Sequence, residues 1–466
     1  MARADAKAAR GTRDFLPFVM KRREHVIGVV RDTFESYGFA SIQTPAIERL
    51  DTLLGKYGEE GDQLLFKILL RGQPLVDGIR RAAEHQAQPG AIVRGRSGET
   101  IPGAETMLSD LGLRYDLTVP LARFYAAHQG ELPPIFKCYQ IQPVWRADTP
   151  GRGRFREFYQ CDADVVGSTS MLCEAEVLSA GCVCMERLGF DRFALRLNHR
   201  GLMRALIERA GVAVDKEIET ILALDKLDKI GASGVRQELE QRGIETESQD
   251  RLLQVFSPEV GLEELEPRLA DSEQGSAALQ AIRELLRLCE ATPAAGRLRL
   301  SPTLARGMSY YTGCIFELEH SGLGSSLGGG GRYDDLVGIF MGKRVPACGF
   351  SLGLERILTV MSERGMYPSS LQHIDAVVAA VRVSEERAAL ELCRRLRSAD
   401  LRVELMSGSL KPGKLRKSAD EREIPAAIWL EPGAIETASL WLRADGSLQE
   451  ALAFERIVEL LRGSPR

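Results

Sequence analysis

At 466 residues the chain has the length of about three ordinary domains, too long for a single small module. Its 61 Lys and Arg against 65 Asp and Glu leave a net charge of −4, which excludes a uniformly basic nucleic-acid binder but leaves room for a local basic surface. With 44% hydrophobic and 27% charged residues, global disorder is excluded and a sizeable core is expected.

The start, Met1 to Arg23, alternates Ala with Arg and Lys and shows no apolar core of a secretory signal. Val26, Val30, Phe34 and Tyr37 then recur at helical spacing and Gly38 stops them, which predicts an amphipathic helix over about residues 18–37. A strand is expected through Ile42–Ile47, with Pro45 placing it at an edge or an interface. Residues 71–110, filled with Gly, Pro, Arg and Gln, predict a long surface loop carrying one short helix, either simply solvated or serving as a lid. Short apolar segments at Leu113–Leu117, Ile135–Val144, Glu157–Val166 and Phe193–Leu197 predict an antiparallel sheet. Residues 200–298 change to Leu, Glu, Arg, Lys and Gln at helical period, the pattern of a helical insertion. Strand-like sequence returns at Thr312–Leu318, followed by a glycine run and a helix over 353–364. Past Tyr367-Pro368-Ser369-Ser370, the strands Ala376–Val381, Arg402–Leu405 and Ala426–Leu430 alternate with a helix through Ala389, Leu392, Cys393 and Leu396, which predicts a small α/β domain with a largely parallel sheet. Nine cysteines without any C-x-x-C form neither a disulfide framework nor a zinc site. No run of about 18 apolar residues predicts a membrane span, and the expected location is cytoplasmic.

Two constellations can carry chemistry. In VWRADTPGRGRFREFYQCDADVVG, Arg146, Arg152, Arg154 and Arg156 surround a turn at Thr149-Pro150-Gly151. Guanidinium groups match phosphate oxygens bidentately, so this fits a polyphosphate grip, although the arginines alone fit a solvated hairpin better. By period two, Arg154, Arg156, Phe158 and Gln160 share one strand face, continued by Asp162 and Asp164, and such a face is costly to bury without ligands. The second constellation is ARGMSYYTGCIFE, GSSLGGGGRYDDLVG and CGFSLGLER. Arg306 ahead of Tyr310 and Tyr311 sets a fixed charge beside two hydroxyls that can read a polar ring. The run Gly328 to Gly331 permits close approach of a ligand, though on its own it is more often a flexible turn.

Together these segments resemble a class II aminoacyl-tRNA synthetase, specifically the histidyl-tRNA synthetase family. GTRDFLP and the helix–strand unit ending at Pro45 resemble its opening and its first, dimer-forming motif. VWRAD…GRGRFREFYQ resembles the second motif and GFSLGLER the third, while LRYDLTVPLARF, RGMSYYTG and GGGGRYD are similar to segments particular to the histidine enzyme. The resemblance implies an α+β fold: an antiparallel-sheet catalytic domain over 1–199 and 299–366, interrupted by a helical insertion at 200–298 that contains DKLDKIG, and a C-terminal α/β anticodon-binding domain at 373–466. It implies activation of histidine with ATP and Mg²⁺, the metal arriving with the nucleotide, and transfer to tRNA(His) by a homodimer. Arg146 and Arg356 would bind ATP phosphates, Asp148 would face the adenine end, and Arg154 would reach the terminal phosphate. Asp116, Thr118 and Gln160 would hold the α-ammonium of histidine. Asp164 and Tyr311 would read the imidazole, with Tyr310, Gly329 and Gly331 completing the pocket. Arg306, with Arg146, would stabilise the charge that develops between carboxylate and α-phosphate.

Three positions depart from the commoner pattern: Ser309 stands where Asp is frequent, and Asp148 and Asp164 where Glu is. The non-catalytic regulatory subunit of ATP phosphoribosyltransferase, which resembles the same catalytic fold, is the main rival, and a same-subclass synthetase for proline or threonine is a third. In the C-terminal domain Lys411, Lys414, Arg416 and Lys417 occur without an acidic residue from Ser407 to Ala419, so with the resemblance this segment is the expected tRNA-phosphate patch.

Overall fold

The computed structural model describes residues 5–86, 107–256, 260–305, 310–320, 326–368, 371, 374–408, 410–431, 433 and 437–463. The chain divides into two units, one of residues 1–14 with 26–364 and one of residues 15–25 with 365–466.

The first unit carries strands β1 (Ala40–Ser41), β2 (Ile47–Arg49), β3 (Lys67–Leu69), β4 (Ser109–Leu113), β5 (Phe136–Trp145), β6 (Glu157–Val166), β7 (Phe193–His199), β8 (Leu298–Leu300), β9 (Cys314–His320), β10 (Gly328–Arg332) and β11 (Ala347–Gly353). Eight form one sheet in the order β1-β5-β6-β11-β10-β9-β7-β8, while β2-β4-β3 form a small second sheet. The six inner strands are antiparallel, and β1 and β8 pair in parallel at the two edges. Helix Leu172–Arg187 covers one face, and it lies so close that a Cβ on Gly181 would come 2.8 Å from the Phe350 ring.

Three expectations change on inspection. The strand predicted through Ile42–Ile47 is not formed: residues 42–46, with Pro45, connect β1, which joins the large sheet, to β2, which starts at Ile47 and joins the small one. The apolar segment Leu113–Leu117 is the end of β4 and a turn into helix Thr118–His128. The glycine run is a strand, β10, in the middle of the sheet. It is bare because its neighbours leave no room: a Cβ on Gly330 would fall 2.0 Å from the Gly349 carbonyl oxygen, and one on Gly331 2.6 Å from that of Cys314. In the 71–110 segment, helix Gln73–Gln86 is found, and residues 87–106 lie outside the described residues.

Among the described residues between β7 and β8 run six α-helices, Arg200–Arg209, Glu217–Leu224, Leu227–Gln241, Thr246–Val255, Leu262–Leu269 and Glu273–Cys289, with a short 3-10 helix at Val214–Lys216. Their apolar stripes bury Leu224, Leu239, Leu252, Leu265, Leu269, Ile282 and Leu285. Ser272 caps the last of them, its Oγ accepting the Gly275 N–H at 3.1 Å.

In the second unit β12 (Ala376–Ala380), β13 (Val403–Leu405), β14 (Ala426–Leu430), β15 (Thr437–Leu442) and β16 (Leu448–Ala453) are ordered β13-β12-β14-β15-β16. The first three are parallel and the last two antiparallel, so the sheet is mixed. The alternating side chains of β12 and β14 are buried on both faces. Ala389, Leu392 and Leu396 of helix Glu386–Ser398 and Ile457 and Leu461 of helix Phe454–Gly463 belong to one core, and Leu415 and Ala419 of helix Pro412–Glu421 to the other.

Candidate active site

The large sheet sets the site. Across its middle, cross-strand partners share a face, so Gln160 stands with Gln142 and Gly353, Asp162 with Gln140 and Ser351, and Asp164 with Cys138 and Gly349. Gly349 is the only residue that fits beside Asp164, since a Cβ there would lie 1.8 Å from the carboxylate Oδ1. A cavity of about 210 Å³ opens over this floor, lined by Asp116, Thr118, Arg146, Asp148, Arg154, Gln160, Tyr310, Tyr311, Gly329 and Arg356 among others. Residues from six separate stretches of sequence therefore meet at one place.

One end of the cavity is acidic and buried. Asp116, 1% exposed, accepts hydrogen bonds from the Tyr57 and Tyr310 hydroxyls and from the Val119 N–H, each at 3.1 Å. Burial raises its pKa even against those three donors. The Gln160 amide donates through Nε2 to Ser351 Oγ at 2.9 Å, and its Oε1 is buried with no partner. Asp164 accepts the Tyr333 hydroxyl on Oδ1 at 2.5 Å while Oδ2 is buried and unpaired, and Asp162 Oδ1 is unpaired as well. Burial pushes Asp164 up to about 7, the Tyr333 bond pulling it down and Asp116 adding to the rise. Burial and then the neighbouring Asp164 push Asp162 well above the usual carboxylate range. Three buried acceptors without donors on one strand face are a strong demand for a ligand rich in N–H groups.

The other end is cationic. Arg146 donates from Nε to the Tyr115 carbonyl at 3.0 Å, and its guanidinium lies 4.2 Å from the Tyr115 ring centroid and 5.2 Å from that of Phe158. Stacking between two rings holds the charge flat and in place. Gly151 and Arg154 exchange backbone hydrogen bonds at 3.0 Å, and Gly153 takes φ 67°, so the turn needs its glycine. Arg154 pairs with Asp148 at 2.8 Å, and Arg356 donates to the Ser326 carbonyl at 2.6 Å. Of the arginines noted beside Arg154, Arg152 is tied to Glu363 on the surface, and Arg156 donates to the Asp148 carbonyl at 3.0 Å and pairs its backbone with Gly11.

Asp164 and Gly331 do not form the cavity wall itself: Asp164 lies beneath it, and Gly331 makes way for the Tyr311 ring, whose atoms a Cβ would meet at 2.8 Å. Arg306 and Ser309 lie outside the described residues. Lys411, Lys414, Arg416 and Lys417 lie in the other unit, at the start of helix Pro412–Glu421, where Lys414 and Lys417 are exposed and Lys417 is 3.7 Å from Glu421.

Several residues of the site were not singled out in the sequence. Tyr333 of GGGGRYD is one of them: its hydroxyl is buried and finds its acceptor in Asp164. Tyr57 gives no local signal. Arg13 of GTRDFLP reaches Glu355 of GFSLGLER at 2.6 Å and lies 3.2 Å from the Phe155 ring centroid, which joins the first recognisable segment to the last. His199, by contrast, is a helix cap: Nδ1 accepts the Gly201 N–H at 3.0 Å, and burial lowers its pKa to about 4.

Comparison with known proteins agrees over both units. A family model described as histidyl-tRNA synthetase matches residues 11–75 and 105–357, and one described as anticodon binding domain matches residues 375–463. A histidine–tRNA ligase of Christiangramia forsetii is 40% identical over 429 residues, covering 90% of this chain and 91% of that protein. One of Flavobacterium johnsoniae is 39% identical over 459 residues, covering 93% and 94%. The crystal structure of histidyl-tRNA synthetase from Nostoc sp. PCC 7120 superposes with a TM-score of 0.77 at 25% identity, covering 99% of each chain. A structure from Bacillus halodurans described as an ATP phosphoribosyltransferase regulatory subunit/histidyl-tRNA synthetase shares the fold, with a TM-score of 0.69 at 22% identity over 92% of this chain and 99% of that one. With family models spanning both units and relatives near 40% identity over nearly the whole chain, this protein belongs to the histidyl-tRNA synthetase family and is an aminoacyl-tRNA ligase for histidine.

Proposed function

We propose that the cavity holds histidine at its buried acidic end and the phosphates of ATP at its arginine-lined end. The observation that carries this is the unpaired acceptor Gln160 Oε1 in the cavity that Arg146, Arg154 and Arg356 also line, with the unpaired Asp164 Oδ2 beneath it. Histidine supplies N–H donors at both of its ends, an ammonium and an imidazole, and so answers that demand. Asp116, Thr118 and Gln160 take the ammonium. Asp164, held by Tyr333, takes an imidazole N–H beside Tyr311, Tyr310 packs against the Tyr311 and Tyr333 rings, Gly329 lines the cavity, and Gly331 leaves room for the Tyr311 ring. An oxygen of the histidine carboxylate then attacks the α-phosphorus and pyrophosphate leaves with the old P–O bond. Arg146, Arg356 and Arg306 stabilise charge that grows in that step, while Arg154 and Asp148 orient the nucleotide. Mg²⁺ would arrive with the nucleotide and would neutralise phosphate charge. In the second half-reaction a hydroxyl of the tRNA 3′ end attacks the histidyl carbonyl and AMP leaves.

Residues 1–199 and 299–366 act as the catalytic domain in this reading, 200–298 as the helical insertion and 373–466 as the anticodon-binding domain, with Lys411, Lys414, Arg416 and Lys417 on tRNA phosphates. A homodimer in the cytoplasm is part of the reading. It is supported by exposed apolar side chains on the outer strands of the small sheet and on the helix that follows: Ile47, Leu69, Val76 and Ile79. No helix among the described residues is long and apolar enough to cross a membrane. The test is histidine-dependent ATP–pyrophosphate exchange followed by charging of tRNA(His). Histidine binding without exchange would instead make the chain a regulatory subunit, and exchange driven by another amino acid would reassign the pocket.

A further inference from the structure

Asp162 is a buried carboxylate, 2% exposed, that the reaction as described above does not use. It stands directly across from Ser351 on β11, and Ser351 is also the partner of Gln160. The hydrogens of this trio are decided by elimination. An amide Nε2 can only donate, so at 2.9 Å Ser351 Oγ must accept from Gln160. The single proton of the Ser351 hydroxyl then has to go elsewhere, and it goes to the Asp162 carboxyl, which keeps an acceptor oxygen in either protonation state. Gln140, the other cross-strand neighbour of Asp162, is directed elsewhere: its Nε2 donates to the Leu117 carbonyl and its Oε1 accepts the Thr44 hydroxyl.

We propose that Asp162 is a positioning residue that fixes the polarity of the Gln160 amide, so that Gln160 presents its oxygen rather than its NH₂ group to the α-ammonium of the substrate. Without a carboxyl to receive it, the Ser351 proton is free to turn toward Gln160. The amide then flips, Ser351 donates to Oε1, and two N–H donors face the substrate where one acceptor stood. A donor facing an ammonium repels it, and the same donor tolerates a ligand without one. Asp162 thereby selects for an amino acid over its deaminated analogue while touching neither. The inference rests on Gln160 as the ammonium acceptor.

The experiment measures binding of two histidine analogues to the full chain by competition in the exchange reaction: histidinol, which keeps the ammonium, and 3-(imidazol-4-yl)propanoate, which lacks it. Asp162→Ala and Ser351→Ala should each weaken histidinol by about 10-fold or more, the range for a lost hydrogen bond to a charged group, and leave the deaminated analogue within about twofold. In a Gln160→Ala background Asp162→Ala should add no further loss for histidinol, because the group it orients is gone. Equal weakening of both analogues by Asp162→Ala, or a full additional loss in the Gln160→Ala background, would overturn the proposal in favour of a general structural role. Normal histidinol binding in both Asp162→Ala and Ser351→Ala, with Gln160→Ala impaired, would overturn it while leaving Gln160 in place. Normal histidinol binding in Gln160→Ala would remove the underlying reading itself. Ser351→Ala, which deletes only a hydroxyl, serves where the Asp162 variant unfolds.

Discussion

Replacing Asp164 by Asn should make the empty protein more stable at alkaline pH and less able to use histidine. Asn keeps the acceptor that Tyr333 bonds, Oδ1, and removes the charge. In the native protein burial raises the Asp164 pKa to about 7, against 3.8 for the exposed group. A carboxyl with a raised folded pKa contributes stability that is fully present below 3.8 and is lost as pH climbs through about 7, because the folded state must then bury an anion. Between pH 5 and pH 8.5 the native chain crosses about two pH units of that interval, at ~1.4 kcal/mol each, so it loses roughly 2–3 kcal/mol that the Asn variant does not. The cost of burying the new amide is the same at both pH values and cancels in the comparison. Thermal or urea unfolding of both proteins at pH 5 and pH 8.5 reads the effect, as a gap that widens by a few degrees in Tm toward alkaline pH. Exchange assays on the same samples should show a raised histidine KM. An unchanged gap between the two proteins across that range would refute the assignment of Asp164 as a carboxyl buried at a cost, held for a ligand.

Arg306→Ala should lower pyrophosphate exchange by about 100-fold or more with little change in ATP affinity, since the lost charge acts where charge develops, and equal losses in both would contradict that role. Charge reversal at Lys414 and Arg416 should weaken tRNA charging, most visibly at low salt, and leave exchange nearly intact, whereas normal charging at low salt would move the tRNA contacts to another face. Glu174→Gln should cost roughly 3–5 kcal/mol of stability in urea unfolding, because Arg332, whose Nη2 meets the Glu174 carboxylate at 2.5 Å, is then left as a buried cation with half its partners. A loss below about 1 kcal/mol would mean that Asp334 and the Ser168 carbonyl suffice.

The residues of the site were legible where chemistry restricts the choice of side chain. Arg146, Asp116 and Gln160 stand in segments whose order along the chain is recognisable, and the alternation from Phe158 to Asp164 already implied one shared face. The strand nature of Gly328–Gly331 was hidden because the propensity of a glycine run points to a turn, while the cause of the run lies in its close packing between the neighbouring strands β9 and β11, which propensity does not register. Tyr57 was hidden for a similar reason: its acceptor, Asp116, is 59 positions away and nothing around Tyr57 marks it as polar-facing. In the second unit, β12 and β14 were visible as continuous apolar runs. The hairpin of β15 and β16 was not, since Leu448–Ala453 is largely exposed and carries no clear alternation.

The reach of Arg13 to Glu355 has a practical meaning for anyone making this protein. Gly11 is pressed against the Arg156 side chain, its notional Cβ 2.7 Å away, and Arg13 neutralises a carboxylate that is 5% exposed at the head of the helix bearing Arg356. A chain started at the internal Met20 would lack both residues, and Glu355 would lose its ion pair with Arg13 in the turn before Arg356. A shortened product of that kind keeps the helical insertion but loses residues of both units, 1–14 of the first and 15–19 of the second. Affinity handles are therefore safer at the far end of the chain, and N-terminal sequencing belongs beside any report of low specific activity.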